Sequence, residues 1–208
     1  TAAVAEDPEG ADFMRRMLPE SYDNPSGYKL AATLQKLFTY TTEDALHTDY
    51  DVAYSNFFSG KAAMLPNGYW LIDQIPDGWE DKVRFAAFPQ RTMVASPETF
   101  GWAVVSTYSD EVKEAAVEFL KFRTHYNKQE KEAFFTQDFE EAPKVLSDYM
   151  EAFTKAAQIV PNYQVKWNSI LQEKTIGEAL PLLKEGKIDT EGFVKMADES
   201  IKEYEAEQ

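Results

Sequence analysis

The sequence predicts an α/β chain with helix in excess, its helices set around a few short strands. Two observations carry that prediction. Most apolar residues recur at intervals of three and four, the spacing of one helix face. Between residues 61 and 106 the period changes, and short apolar runs are cut off by Pro and Gly, as buried strands are. The 44% hydrophobic and 14% aromatic content over 208 residues supplies enough apolar surface to offset the entropy of ordering the chain.

Residues 1–10 are small, acidic and Gly/Pro-containing, and read as a loose lead-in. Phe13, Met14, Met17 and Leu18 recur at helical spacing before Pro19. Tyr22 to Gly27 is a dense turn signal. Leu30, Ala31, Leu34, Leu37 and Phe38 then share one helix face. A further helix is expected from Asp49 or Asp51 to Phe58, with Gly60 free to take the left-handed cap conformation. Lys61 to Leu65 reads as a buried strand, Tyr69 to Ile75 as one or two helical turns opening after Gly68, and Pro76-Asp77-Gly78 as a turn. Val83 to Phe88 reads as a second strand. After a polar loop, Gly101 to Ser106 reads as a third.

Ser109 is the expected N-cap of the next helix, with Asp110 and Glu111 in its first turn and Lys121, Arg123 and His125 in its last. Its apolar stripe is Val112, Ala115, Ala116, Phe119 and Leu120. A short helix from Asn127 follows. Residues after Pro143 read as helix up to Pro161, with further helices over Gln164–Lys184 and Thr190–Tyr204.

Composition excludes several functions. With 21 Lys+Arg against 36 Asp+Glu the net charge is −15, and no basic cluster exists to meet a nucleic-acid backbone or anionic lipid. No cysteine is present, which removes disulfides, thiolate nucleophiles and thiolate metal ligands together. No run approaches the ~18 apolar residues that span a bilayer. Thr1 to Val4 lack the basic n-region of a signal peptide, so any export signal is expected outside this segment.

The chemistry-bearing motifs are few. His47 and His125 lie apart, with no paired-His spacing, and Asp49-Tyr50-Asp51, which resembles a metal-nucleotide element, is better explained by the acids expected at a helix start. There is no phosphate-binding glycine loop and no nucleophile elbow. No catalytic residue, metal or cofactor is expected. Aromatic residues beside turns stand out: Trp70 after Gly68-Tyr69, Trp102 after Gly101, and Trp167 after Pro161-Asn162-Tyr163. Flat aromatic faces suit the C–H faces of sugar rings, with Asn67 and Gln164 available for hydroxyls. Packing in the core or at an edge is the competing explanation for each.

The run Phe57-Phe58-Ser59-Gly60-Lys61-Ala62-Ala63-Met64, then Asn67-Gly68-Tyr69-Trp70, resembles family 1 extracellular solute-binding proteins of ABC importers, the relatives of maltose-binding protein. Asp44-Ala45 upstream, Val83–Pro89, Ser106 to Ser109, the Lys113–Leu120 helix, Ile159-Val160-Pro161-Asn162, Trp167 and Glu185-Gly186-Lys187 follow in that family's order. The resemblance spans about residues 27–205. It implies residues 27–208 as the helix-rich C-terminal lobe of a type II periplasmic-binding-protein-like fold, preceded by a lead-in and short helix over 1–26. Such chains are commonly about twice this length. It also implies that residues 100–125 match a segment that packs in the first lobe, which is missing here.

Carried over by position, Tyr69, Trp70 and Trp167 match ligand-facing aromatics, and Gly101-Trp102 a cleft-lining element in which Phe100 replaces a glycine. Glu140 to Pro143 lacks the glycine of the corresponding turn, so no contact is carried over there. The implied function is binding of a carbohydrate, as an oligosaccharide, in an interlobe cleft for a membrane permease. The implied location is extracellular, on a cell-surface lipoprotein or in a periplasm. A two-carboxylate glycoside hydrolase, or a helical interaction module without a small ligand, are the alternatives.

Overall fold

Four of the helices begin on the same local device. In the computed structural model, which describes residues 1–16, 19–95, 103–136, 144–162 and 169–207, α1 (Pro8–Arg15), α2 (Pro25–Phe38), α3 (Tyr50–Phe58) and α8 (Thr190–Ala206) each follow an Asp or Asn cap. The side chains of Asp7, Asn24, Asp49 and Asp189 accept from the N–H three residues on, at 2.8, 3.0, 3.0 and 2.9 Å. Pro8 and Pro25 occupy the first turn, where no intrahelical N–H is required.

Between them, in chain order, come β1 (Thr92–Ala95), α4 (Asp110–Thr136), α5 (Lys144–Thr154), β2 (Gln158–Pro161), α6 (Ser169–Gln172) and α7 (Leu180–Lys184). A π-helical stretch, Glu173–Ala179, joins α6 to α7. Its cause is Pro181, which has no N–H to donate and whose ring would crowd the carbonyl four residues back; widening the coil relieves both.

The core gathers Val4, Phe13, Met14, Tyr22, Leu171 and Leu183 with Phe193, Val194, Ala197 and Ile201 of α8. Phe13 meets Tyr22 edge to face at 5.6 Å. The Asp198 carboxylate clamps the turn before α2, accepting from the Tyr22 N–H at 2.5 Å and the Ser21 hydroxyl at 2.8 Å. β1 and β2 pair in parallel, with Thr92 opposite Gln158 and Val94 opposite Val160. Two strands alone are marginal. This pair is tied to the N-terminus by Gln158, whose amide donates to the Ala5 carbonyl at 2.7 Å and to the Thr92 hydroxyl at 3.0 Å.

The fold class holds in its coarse form: helix-rich, with two short parallel strands among the described residues. Several elements differ from expectation. Residues 1–10 are not a loose lead-in; Val4 and Ala5 are buried, and α1 begins at Pro8. Lys61 to Leu65 forms no strand, and Met64 is 84% exposed. After Gly60 turns left-handed at φ +76°, the Lys61 and Ala62 N–H groups instead cap α3 through the Asn56 carbonyl at 2.9 and 3.1 Å.

Val83 to Phe88 forms no strand; Phe88 alone makes a bridge, to Thr92. Ala103 to Ser106 is not strand, and residues 101 and 102 lie outside the described residues. The strands form from Thr92–Ala95, expected to be loop, and Gln158–Pro161, expected to be helix. α4 is one helix where two were expected, and its Val112, Val117, Phe119 and Phe122 are exposed. Among the described residues, no helix is long and apolar enough to cross a membrane.

Candidate functional site

Gly68 opens a short 3-10 helix of two turns, Tyr69–Gln74, with extended backbone at φ −103°. Asn67 sets its start: the side-chain carbonyl accepts from the Gly68 N–H at 2.8 Å, and its amide donates to the Tyr50 hydroxyl at 3.1 Å. Tyr50 in turn donates to the Gln74 side chain at 3.2 Å, and the Tyr54 hydroxyl to the Gln74 carbonyl. The turn is therefore pinned to α3 at both ends. It leaves Tyr69 62% and Trp70 55% exposed, with Leu71 the residue that anchors inward.

The pair does not stand alone. Tyr69 and Trp70 meet edge to face at 5.9 Å, Tyr69 lies 6.2 Å from Tyr149 of α5, and Tyr149 meets Phe85 at 5.1 Å. Phe153, one helical turn on, stacks on Tyr149 at 6.4 Å. The result is a continuous aromatic ledge. Burial, with Tyr69 beside it, raises the Tyr149 phenol above its ordinary value, so it keeps its proton at neutral pH.

An ion pair fixes α5 to the segment that carries Phe85. Arg84 donates through Nε and Nη2 to the two Asp148 oxygens at 2.5 and 2.7 Å, and the Phe85 N–H adds a third bond at 3.2 Å. The Arg84 hydrogen bond, reinforced by that N–H, holds the Asp148 carboxyl below the usual range. Beyond it opens a cleft of about 310 Å³ whose lining includes Phe85, Phe88, Arg91, Asp148, Glu151 and Lys155.

Of the residues expected at the site, Tyr69 and Trp70 are brought together and exposed. Gly101, Trp102 and Trp167 lie outside the described residues, as does Gln164. Asn67 serves the turn itself. Trp79 is structural, packed on Phe58 at 5.5 Å with Lys82 over its ring. Phe85, Tyr149 and the Arg84–Asp148 pair were missed: the sequence shows Tyr149 and Phe153 only as a helical stripe, with no local sign that Phe85, 64 positions before Tyr149, would join them. No family model, no curated protein and no solved structure matches this chain.

Gly68 gives this geometry a direct test. A Cβ built there would lie 2.2 Å from Cζ3 of Trp70, because the indole rests against the glycine. Gly68→Ala is expected to swing the exposed ring outward. Its emission maximum and quenching by acrylamide should change, while the melting temperature shifts by no more than about 2 °C, since no core contact is lost.

Proposed function

We propose that this chain is the C-terminal lobe of a carbohydrate-binding, type II periplasmic-binding-protein-like receptor of an ABC importer, and that Tyr69 and Trp70 form its sugar platform. The observation that carries the reading is the joint one: the ordered Phe57-to-Trp70 motif ends on two aromatic rings that are more than half exposed and backed by a third, Tyr149. Exposed aromatic surface on a pinned turn is costly to keep in water and useful to a ring with an apolar face.

The partner lobe and a permease belong to the same proposal, as does an extracellular setting. The apolar residues exposed along α4 support a missing lobe, since Val112 and Val117 sit on a helix with no extensive packing against another described element. Ligand bridging both lobes would favour the closed form.

A thermal-shift screen of the full-length protein against a sugar panel tests the reading, because a ligand that binds only the native state must raise its melting temperature. For the sugar found, calorimetry with Trp70→Ala should show affinity reduced about tenfold or more. A panel without any shift, or an unchanged affinity in the variant, overturns it.

A further inference from the structure

Beside the aromatic ledge, the backbone does something that a merely structural turn would avoid. Phe88 and Thr92 exchange N–H···O bonds at 3.0 and 3.2 Å around Pro89, Gln90 and Arg91. Both Gln90 (φ 60°) and Arg91 (φ 56°) are left-handed, a conformation that costs any residue with a Cβ and that glycine would adopt freely. The strain is held in place by the Phe88–Thr92 bridge and by the Ala157 N–H, which donates to the Arg91 carbonyl at 3.0 Å. Strained residues so held are where a side chain's position matters. The strained turn puts Arg91 on the wall of the 310 Å³ cleft.

The charged side chains that line the cleft, Arg91, Asp148, Glu151 and Lys155, sum to zero, but their pairing leaves one over. Asp148 is satisfied by Arg84 and the Phe85 N–H, and Glu151 is paired with Lys155 along α5. Arg91 has no acidic partner among the described residues. The Arg91 guanidinium is exposed to solvent at the cleft wall. Its planar fork matches a carboxylate in two parallel bonds. Phe85 belongs to both the ledge and the cleft wall, so the cleft that Arg91 lines adjoins the aromatic rings.

We infer that this cleft is a carboxylate subsite read by Arg91, and that the sugar bound is a uronic-acid-containing oligosaccharide. The inference rests on the carbohydrate reading above and adds the charge of the ligand. The Pro89–Arg91 turn supplies specificity, and the ledge supplies stacking.

The test compares trigalacturonate with its carboxyl-reduced, neutral trisaccharide by calorimetry on the full-length protein. The native protein should prefer the acid by about tenfold or more. Arg91→Gln should abolish the preference, the two sugars then binding with equal affinity. Arg91→Lys, keeping the charge without the fork, should fall between. Glutamine bears the same left-handed cost, so an unchanged melting temperature for Arg91→Gln is expected and checks the fold. Equal affinity of the native protein for both sugars, or an acid preference that survives Arg91→Gln, overturns the subsite and leaves the carbohydrate reading standing. Failure of both sugars together with the whole sugar panel removes that reading, and the subsite with it.

Discussion

Phe193→Ala is expected to cost the fold about 3–5 kcal/mol, the range for a large aromatic removed from a packed core. Phe193 is 2% exposed and sits where α8 meets the N-terminal helices and the π-helical stretch. Truncation removes the ring's transfer free energy and leaves a cavity in a core drawn from separate elements, which collapses only in part. Whole domains are stable by only about 5–15 kcal/mol. The melting temperature followed by circular dichroism should therefore drop by roughly 10 °C. Leu37→Ala, at a 53% exposed position on α2, serves as control and should stay within about 0.5 kcal/mol of the parent. Similar losses in both variants would place the core elsewhere.

The second large effect reverses a familiar sign. Alanine in place of glycine stabilises an open helical position by about 1 kcal/mol. Gly27→Ala in α2 should instead destabilise by about 3 kcal/mol. A Cβ at Gly27 would lie 1.9 Å from the Tyr22 carbonyl oxygen and 2.8 Å from its carbon, contacts with backbone and not with a side-chain tip. Tyr22 cannot withdraw: its ring is fully buried against Phe13, and its N–H is held by Asp198 at 2.5 Å. The substitution thus strains the joint between the N-terminal segment, α2 and α8. Gly177→Ala is the matched comparison, because nothing lies within 4 Å of its would-be Cβ and its φ is not positive. Chemical denaturation should separate the two, Gly27→Ala losing stability and Gly177→Ala holding or gaining it.

Both effects sit in regions the sequence renders unevenly. The lead-in reading of residues 1–10 followed the exposed residues, Glu6, Asp7, Pro8 and Glu9, while burial there is carried by Val4, Ala5 and Gly10, which are too small or too few to set a period. Phe13 and Met14 were legible as an apolar face, but not that the core would close over them. The aromatic site was legible at Tyr69 and Trp70, because Gly68 and the turn before it are local. Tyr149 and the Arg84–Asp148 pair were not, since their partners come from α5, 64 positions from Arg84 and Phe85.

Local chemistry by itself determined where most helices lie, the α3 start at Asp49, the left-handed Gly60 and the 3-10 turn that presents the aromatic pair. It did so because caps, helical periodicity and glycine conformations act within a few residues. Which apolar runs became strands was decided only in the tertiary structure. A short apolar run has no period to declare its fate, and a strand exists only when another backbone takes up its N–H and C=O groups. Thr92–Ala95 and Gln158–Pro161 found each other against the buried N-terminus, while Lys61–Leu65 found no partner strand. The same distant contacts, α5 packed on the 3-10 turn and Arg84 clamped to Asp148, turned an exposed aromatic pair into a ledge with a charged cleft at its end.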